Sequence, residues 1–248
     1  MDNLKTIKFL FLLFCCSSLQ SCAVNSNIKK FPIYSFVKVH TKMTLQICTE
    51  SKDKVSVCDD NDFYSVGSGA VVKSDRNKTY VLTAGHVCHT DLEEPIKSAA
   101  SAKRMSFKVE THEGKFYDFE VKVISPDFLN GNDVDLCLLQ GDRIRVPSIH
   151  LALRGPKIGD EVYNVAAPLG VYYAPVVPLF SGYYSGPINK YNDLLTIPAI
   201  GGSSGSPILD SNGDLIGVIF AANVQFVHIS IGVNFKETRK FLHNNLNP

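Results

Sequence analysis

Gly201-Gly202-Ser203-Ser204-Gly205-Ser206-Pro207 is the stretch on which the reading of this chain turns. Glycine on both sides of a serine breaks any helix or strand and leaves backbone N–H groups free to point at a ligand. A serine hydroxyl is a weak nucleophile at neutral pH and needs a base within hydrogen-bond reach. Two earlier segments offer the missing parts. Leu82-Thr83-Ala84-Gly85-His86-Val87-Cys88 puts a histidine where a β-type run breaks into small residues, and Asn132-Asp133-Val134-Asp135-Leu136-Cys137-Leu138 puts acids at the mouth of an apolar strand. Imidazole titrates near working pH, and a carboxylate beside it fixes its tautomer and stabilises the imidazolium. Taken singly, each segment reads as a turn, a cap or a structural histidine. Histidine, aspartate and serine together, in that order, point to nucleophilic catalysis.

Away from these segments the pattern is short β-type runs between turn residues. Tyr34–Ile47, Ser68–Lys73, Thr79–Ala84, the pair MSFKVE and FYDFEVKVI, and Asp135–Gln140 come first. EVYNVAA, FSGYYSG, LLTIPA, PILD, LIGVIFAA and FVHISIGVNF follow a polar, proline-containing break over residues 141–156. Only Lys236–Asn245 has the apolar stripe of a helix. Many short strands at close spacing predict an all-β sandwich or barrel architecture, and the break predicts two small barrels, over residues 34–145 and 146–248.

The 248 residues carry 25 Lys+Arg against 24 Asp+Glu, a net charge of +1 that leaves no basic surplus for phosphates. No nucleic-acid partner is therefore expected. Hydrophobic residues at 45% and charged residues at 20% fit a globular protein. No stretch reaches the roughly 20 apolar residues that span a bilayer.

Residues 1–22 read as an export signal: Lys5 and Lys8, a short apolar core from Phe9 to Cys16, then small residues. Leu19-Gln20-Ser21-Cys22 also matches a bacterial lipobox apart from Gln20, which predicts lipidation at Cys22; cleavage after Ala23 is the alternative. Any membrane attachment would come through that anchor, and residues 23–33 would be a linker. Export makes Cys48, Cys58, Cys88 and Cys137 disulfide candidates. A local Cys48–Cys58 bridge across a hairpin is the simplest pairing, and Cys137, inside an apolar run, is read as a buried free thiol. A zinc site from His86, Cys88 and His89 would need ligands from elsewhere, so no metal or other cofactor is expected.

These motifs resemble those of the chymotrypsin-like serine peptidases, most of all the compact bacterial HtrA-type and glutamyl-endopeptidase-type members. Thr83-Ala84-Gly85-His86 is similar to the family's Thr-Ala-x-His, Asp135-Leu136-Cys137-Leu138 to Asp-Ile/Leu-Ala-Leu, and Gly202 to Pro207 to Gly-x-Ser-Gly-Ser/Gly-Pro. Gly67-Ser68-Gly69, Pro156–Val162, Ala167–Gly170, Gly213–Val218 and Ile231–Val233 resemble flanking family segments. The resemblance covers Tyr34 onward. It implies two six-stranded antiparallel Greek-key barrels and a C-terminal helix, with no PDZ domain after Pro248.

Carried over residue by residue, the resemblance makes His86 the base, Asp135 the orienting acid and Ser204 the nucleophile, with the Gly202 and Ser204 N–H groups as oxyanion hole. Asp133 competes with Asp135, and Ser203 and Ser206 with Ser204. The motif favours Asp135, which directly precedes the apolar strand, and Ser204, which has glycine two before it and Gly-Ser-Pro after it. The substrate pocket would draw on Pro198, Ala199, Phe220 and Gly232, with His228 reaching it if it shares the strand parity of Gly232. Pro198 stands where trypsin-type enzymes carry a pocket-floor aspartate, which disfavours a basic P1 residue. Ser203 replaces the aspartate that pairs with a new N-terminus in digestive members. Phe220 replaces a Ser or Thr and brings no hydrogen bond to the acid. The implied activity is serine endopeptidase action on proteins or peptides. The alternatives are a catalytically silent member that binds peptides or envelope proteins, and an esterase; the latter is disfavoured because the Ser…Asp…His chain order of α/β-hydrolases is absent.

Overall fold

The computed structural model describes residues 31–50, 56–90, 92, 97, 100–223 and 225–246. The leader with Cys22, and most of the 23–33 linker, lie outside the described residues.

Strands β1 (Phe36–Glu50), β2 (Ser56–Ser74), β3 (Lys78–Thr83), β4 (Ala100–Thr111), β5 (Phe116–Ile124) and β6 (Cys137–Asp142) close into one antiparallel barrel in the order β1-β2-β3-β6-β5-β4. Strands β7 (Glu161–Val165), β8 (Leu179–Pro187), β9 (Asn192–Leu195), β10 (Pro207–Leu209), β11 (Leu215–Ala222) and β12 (Ser230–Val233) close a second in the order β10-β11-β12-β9-β8-β7. Helix α1 (Gly85–Cys88) and helix α2 (Pro126–Leu129) are single turns in the first half, and helix α3 (Phe235–Leu246) ends the chain.

Strand alternation explains the sequence pattern. On β3 and the segment entering β6, Val81, Cys137 and Leu139 point into the first barrel, while Leu82, Leu136 and Leu138 point out of it. The outward set meets Tyr163, Val165, Leu209, Leu215 and Val233 from the second barrel, together with Phe241 and Leu242 of α3. The second barrel keeps its own interior of Val162, Leu195, Ile197, Ile208 and Ile219. Residues 136–139 therefore read as continuously apolar because both faces are buried.

Three expectations shift in the structure. Strand β1 starts at Phe36, since Ile33–Ser35 form a 3-10 turn, and it runs on to Glu50. Its partner β2 starts at Ser56, inside a stretch rich in acids that does not look like a strand. That arm of the hairpin projects from the barrel, where charged residues suit a strand pair facing water; Lys42–Asp62 (2.8 Å), Arg104–Asp60 (2.6 Å) and the Cys48–Cys58 bridge tie it together. Finally, β12 is short: Phe226–His228 form an exposed turn, closed by Asn223 N–H on the Ile229 carbonyl (3.0 Å) and by the Asn223 side chain accepting from Gln225 and Phe226 N–H.

One buried acid makes stability depend on pH. Asp193 on β9 is enclosed, accepts from the Tyr184 hydroxyl (3.0 Å), and burial pushes its carboxyl from 3.8 up to about 6. The folded state then holds this proton over a range where the unfolded chain has lost it. The contribution of Asp193 to stability falls as pH rises from about 4 through about 6 and levels off above. Urea midpoints for wild type and Asp193→Asn, taken at pH 4 and pH 7, should show wild type losing stability relative to the variant between the two pH values.

Candidate active site

His86 sits on α1, directly after β3, and Asp135 directly before Leu136, the residue that plugs the interface between the barrels. Strand pairing of Thr83 with Cys137 brings the two segments side by side. Asp135 Oδ2 lies 2.6 Å from His86 Nδ1, and Asp135 Oδ1 accepts the His86 backbone N–H at 2.9 Å. An ionised carboxylate can only accept, so Nδ1 carries the proton and Nε2 is left as the basic nitrogen. The Asp135 side chain is 9% exposed and that of His86 40%, so the carboxylate is sheltered while the imidazole reaches the surface.

Sequence reading missed a covalent brace on this pair. Cys137 is bonded to Cys88, not free. The two cysteines follow His86 and Asp135 by two residues each, so the bridge ties α1 to β6 just behind the His–Asp contact. The same bond removes Cys88 from any zinc site with His86 and His89. Cys137 stands in an apolar run and Cys88 between Val87 and His89, and the pairing of β3 with β6 brings them together.

The serine-bearing turn is built by two glycines. Gly202 has φ +91°, and a Cβ there would come within 2.5 Å of the Ala167 carbonyl. Gly205 has φ +87°, and a Cβ there would meet Thr83 Oγ1 at 2.1 Å and the Ser68 carbonyl at 2.2 Å. Gly205 thus lets the turn lie directly on the end of β3, three residues before His86. The Ser204 carbonyl accepts Ser68 N–H from the first barrel at 2.8 Å.

The rival residues are occupied elsewhere. Asp133 is exposed and accepts from Asn189 Nδ2 (2.9 Å). Ser206 is buried and accepts from Asn164 Nδ2 (2.7 Å). Ser203 is buried and accepts Ile200 N–H (3.3 Å), closing the turn locally at the position where digestive members hold an ion pair. Ser204 is half-buried at the cavity edge. Within the turn, Ser203 N–H, Gly205 N–H and Ser206 N–H bond to the carbonyls of Ile200, Ile219 and Ser203. Among the described residues, no such bond takes up Gly202 N–H or Ser204 N–H.

Beside Ser204 lies a cavity of about 190 Å³ lined by Ala199, Phe220, Ala221, Ala222 and Val227, among others. Ala199 and Phe220 were expected there; Pro198, Gly232 and His228 are not in its lining. Gly232 faces the second barrel's interior, where a Cβ would stand 2.3 Å from Ile208 Cδ1. His228 precedes β12, so it shares no strand parity with Gly232; it packs edge-on to Phe226, with ring centroids 5.5 Å apart. Phe220 packs against the apolar clusters of both the first barrel and the interface. The hydrogen bonds to Asp135 come from His86 alone among the described residues.

Two closed six-stranded antiparallel barrels, with a His–Asp pair and a glycine-flanked serine turn at their junction, define the chymotrypsin-like fold. A family model described as trypsin-like peptidase domain matches residues 67–218, more than half of the chain. The protein belongs to that family. A search of curated protein sequences finds no match. Among solved structures, the HtrA-type protease AlgW, carrying a serine-to-alanine change and a decapeptide, aligns with TM-score 0.60 and 18% identity over 86% of this chain and 63% of that one. A serine endoprotease from Yersinia pestis aligns at 0.59 and 18%, over 87% and 64%. Rv3671c from M. tuberculosis, an inactive serine-to-alanine mutant, aligns at 0.58 and 18%, over 91% and 94%. The chain thus spans less than two thirds of the length of the first two.

Two variants probe this site. Asp135→Asn should keep the fold but lower kcat by about 10⁴-fold, because an amide can stabilise the wrong imidazole tautomer; steady-state kinetics on a peptide amide would show it. Replacing Cys88 and Cys137 together by alanine should cost about 2–5 kcal/mol, read as a lower urea midpoint under non-reducing conditions.

Proposed function

We propose that this protein is an exported serine endopeptidase that cleaves peptide bonds through an acyl-enzyme formed on Ser204. The observation that carries the reading is the close His86–Asp135 pair, sheltered at the barrel junction, with the serine-bearing turn laid on the strand that delivers the histidine. His86 Nε2 takes the Ser204 proton as the hydroxyl attacks the carbonyl carbon, and the imidazolium is stabilised by Asp135. The developing oxyanion is received by the N–H groups of Gly202 and Ser204. His86 then returns the proton to the departing amine, and a water activated by the same nitrogen releases the acid product.

The cavity beside Ser204 supports the expected specificity. Ala199, Phe220, Ala222 and Val227 bring no charged side chain to it, so a Lys, Arg or Glu side chain would be desolvated without a partner. Its volume suits small to medium aliphatic side chains. The two disulfides support an oxidising compartment and hence export. Lipidation at Cys22 remains the reading of the leader.

The test is intact-mass analysis of the mature protein before and after a fluorophosphonate probe, beside Ser204→Ala. One adduct, absent from the variant, is expected; no adduct on folded wild type would leave a peptide-binding module instead. The starting mass distinguishes a lipidated Cys22 from a chain beginning at Val24. In a P1 library, aliphatic residues should outrun charged ones by at least about 10²-fold, and equal cleavage after Lys or Arg would refute the apolar pocket.

A further inference from the structure

Ser68 lies on β2, outside the triad and the cavity, yet its polar atoms are all spent on the parts that surround Ser204. Its N–H donates to the Ser204 carbonyl (2.8 Å), and its own carbonyl accepts from Thr83 Oγ1 (2.7 Å), three residues before His86. Its hydroxyl donates to the Gly202 carbonyl (2.8 Å) and accepts Ala167 N–H (3.0 Å). The side chain is fully buried, so no water can stand in for these bonds.

The hydroxyl acts on both N–H groups read as the oxyanion hole. A peptide unit is planar, so holding a carbonyl orients the N–H on its far side. The bond to the Gly202 carbonyl fixes the peptide between Gly202 and Ser203, and so the link between the two donors. The bond from Ala167 N–H fixes the start of the 167–170 loop, where Leu169 N–H in turn donates to the Gly201 carbonyl (2.6 Å). That carbonyl shares its peptide plane with Gly202 N–H. Only a group that donates and accepts through one atom can satisfy both Gly202 and Ala167 from a single position. The two partners belong to the second barrel and Ser68 to the first, so the hydroxyl also joins the barrels across the site.

We propose that Ser68 is a positioning residue: its hydroxyl holds the Gly202–Ser203 peptide and the 167–170 loop in register, so that the Gly202 and Ser204 N–H groups converge on the developing oxyanion. The proposal rests on the peptidase reading of the site. It predicts a defect in stabilising the tetrahedral state and not in binding substrate.

The experiment compares wild type, Ser68→Ala and Ser68→Thr on a chromogenic peptide amide with an aliphatic P1 residue. Inhibition by the matching peptide aldehyde, which forms a tetrahedral adduct, is measured alongside the affinity of the product peptide acid. Ser68→Ala should lower kcat by about 10²-fold, with KM little changed and aldehyde affinity falling in parallel. Product affinity should hold, and Ser68→Thr, which keeps the hydroxyl, should recover most of kcat. If Ser68→Ala does not fold, Ser68→Cys fills the same space with a poor donor and is read in the same way. Unchanged kcat overturns the proposal. So does a joint fall of kcat, product affinity and thermal midpoint, which marks a role in folding alone. Wild type that forms no fluorophosphonate adduct overturns the peptidase reading instead, and the oxyanion role with it.

Discussion

The serine turn of the second barrel is held against the first by backbone contact, and that seam governs the rest of the structure. Ser68 N–H meets the Ser204 carbonyl at 2.8 Å, and Gly205 lies so close to Thr83 and Ser68 that any side chain there would overlap them. Neither barrel contains a site by itself. In the proposed mechanism the base His86 and the acid Asp135 come from one, the nucleophile Ser204 and the oxyanion donors from the other. Their relative placement has to be fixed to a fraction of an ångström for the proton transfer and the attack to share one geometry. Backbone hydrogen bonds and a missing Cβ provide that precision more rigidly than long side chains could.

Packing supplies the energy that keeps the seam closed. Leu82, Leu136 and Leu138 face outward from the first barrel into Tyr163, Leu209 and Leu215 of the second, and α3 covers the cluster with Phe241 and Leu242. The same strands place Val81, Cys137 and Leu139 inside the first barrel. Catalytic position and core packing therefore share residues: His86 follows β3 and Asp135 precedes β6, the strands whose alternation builds both layers. The Cys88–Cys137 bridge reinforces this pair, fastening the single-turn helix that carries His86 to β6.

Much of the site was legible because its chemistry leaves compact local traces. Gly202 and Gly205 are required by backbone conformation, and the residues around Ser204 form one short contiguous turn. The apolar run after Asp135 marks a strand buried on both faces. Pocket residues were harder to assign, since a cavity wall is assembled from separate segments. Ala199 and Phe220 line it, but Gly232 turns into the barrel interior and His228 falls in the turn before β12. The parity argument for His228 assumed a strand that the Asn223 side chain and the Asn223–Ile229 bond interrupt.

By itself the sequence determined the β-barrel class, the three short motifs that carry His86, Asp135 and Ser204, the proposed base, acid and nucleophile, and the turn that presents Ser204, because each depends on residue types within a few positions of one another. Only the tertiary structure decided that Cys137 pairs with Cys88, that the acidic arm of β2 is a strand, which side chains wall the cavity, and that the Ser68 hydroxyl spans Gly202 and Ala167. The bridge and the two Ser68 bonds join positions 49, 99 and 134 residues apart. Strand register and barrel closure set such meetings, and they leave no local pattern of propensity or spacing in the chain.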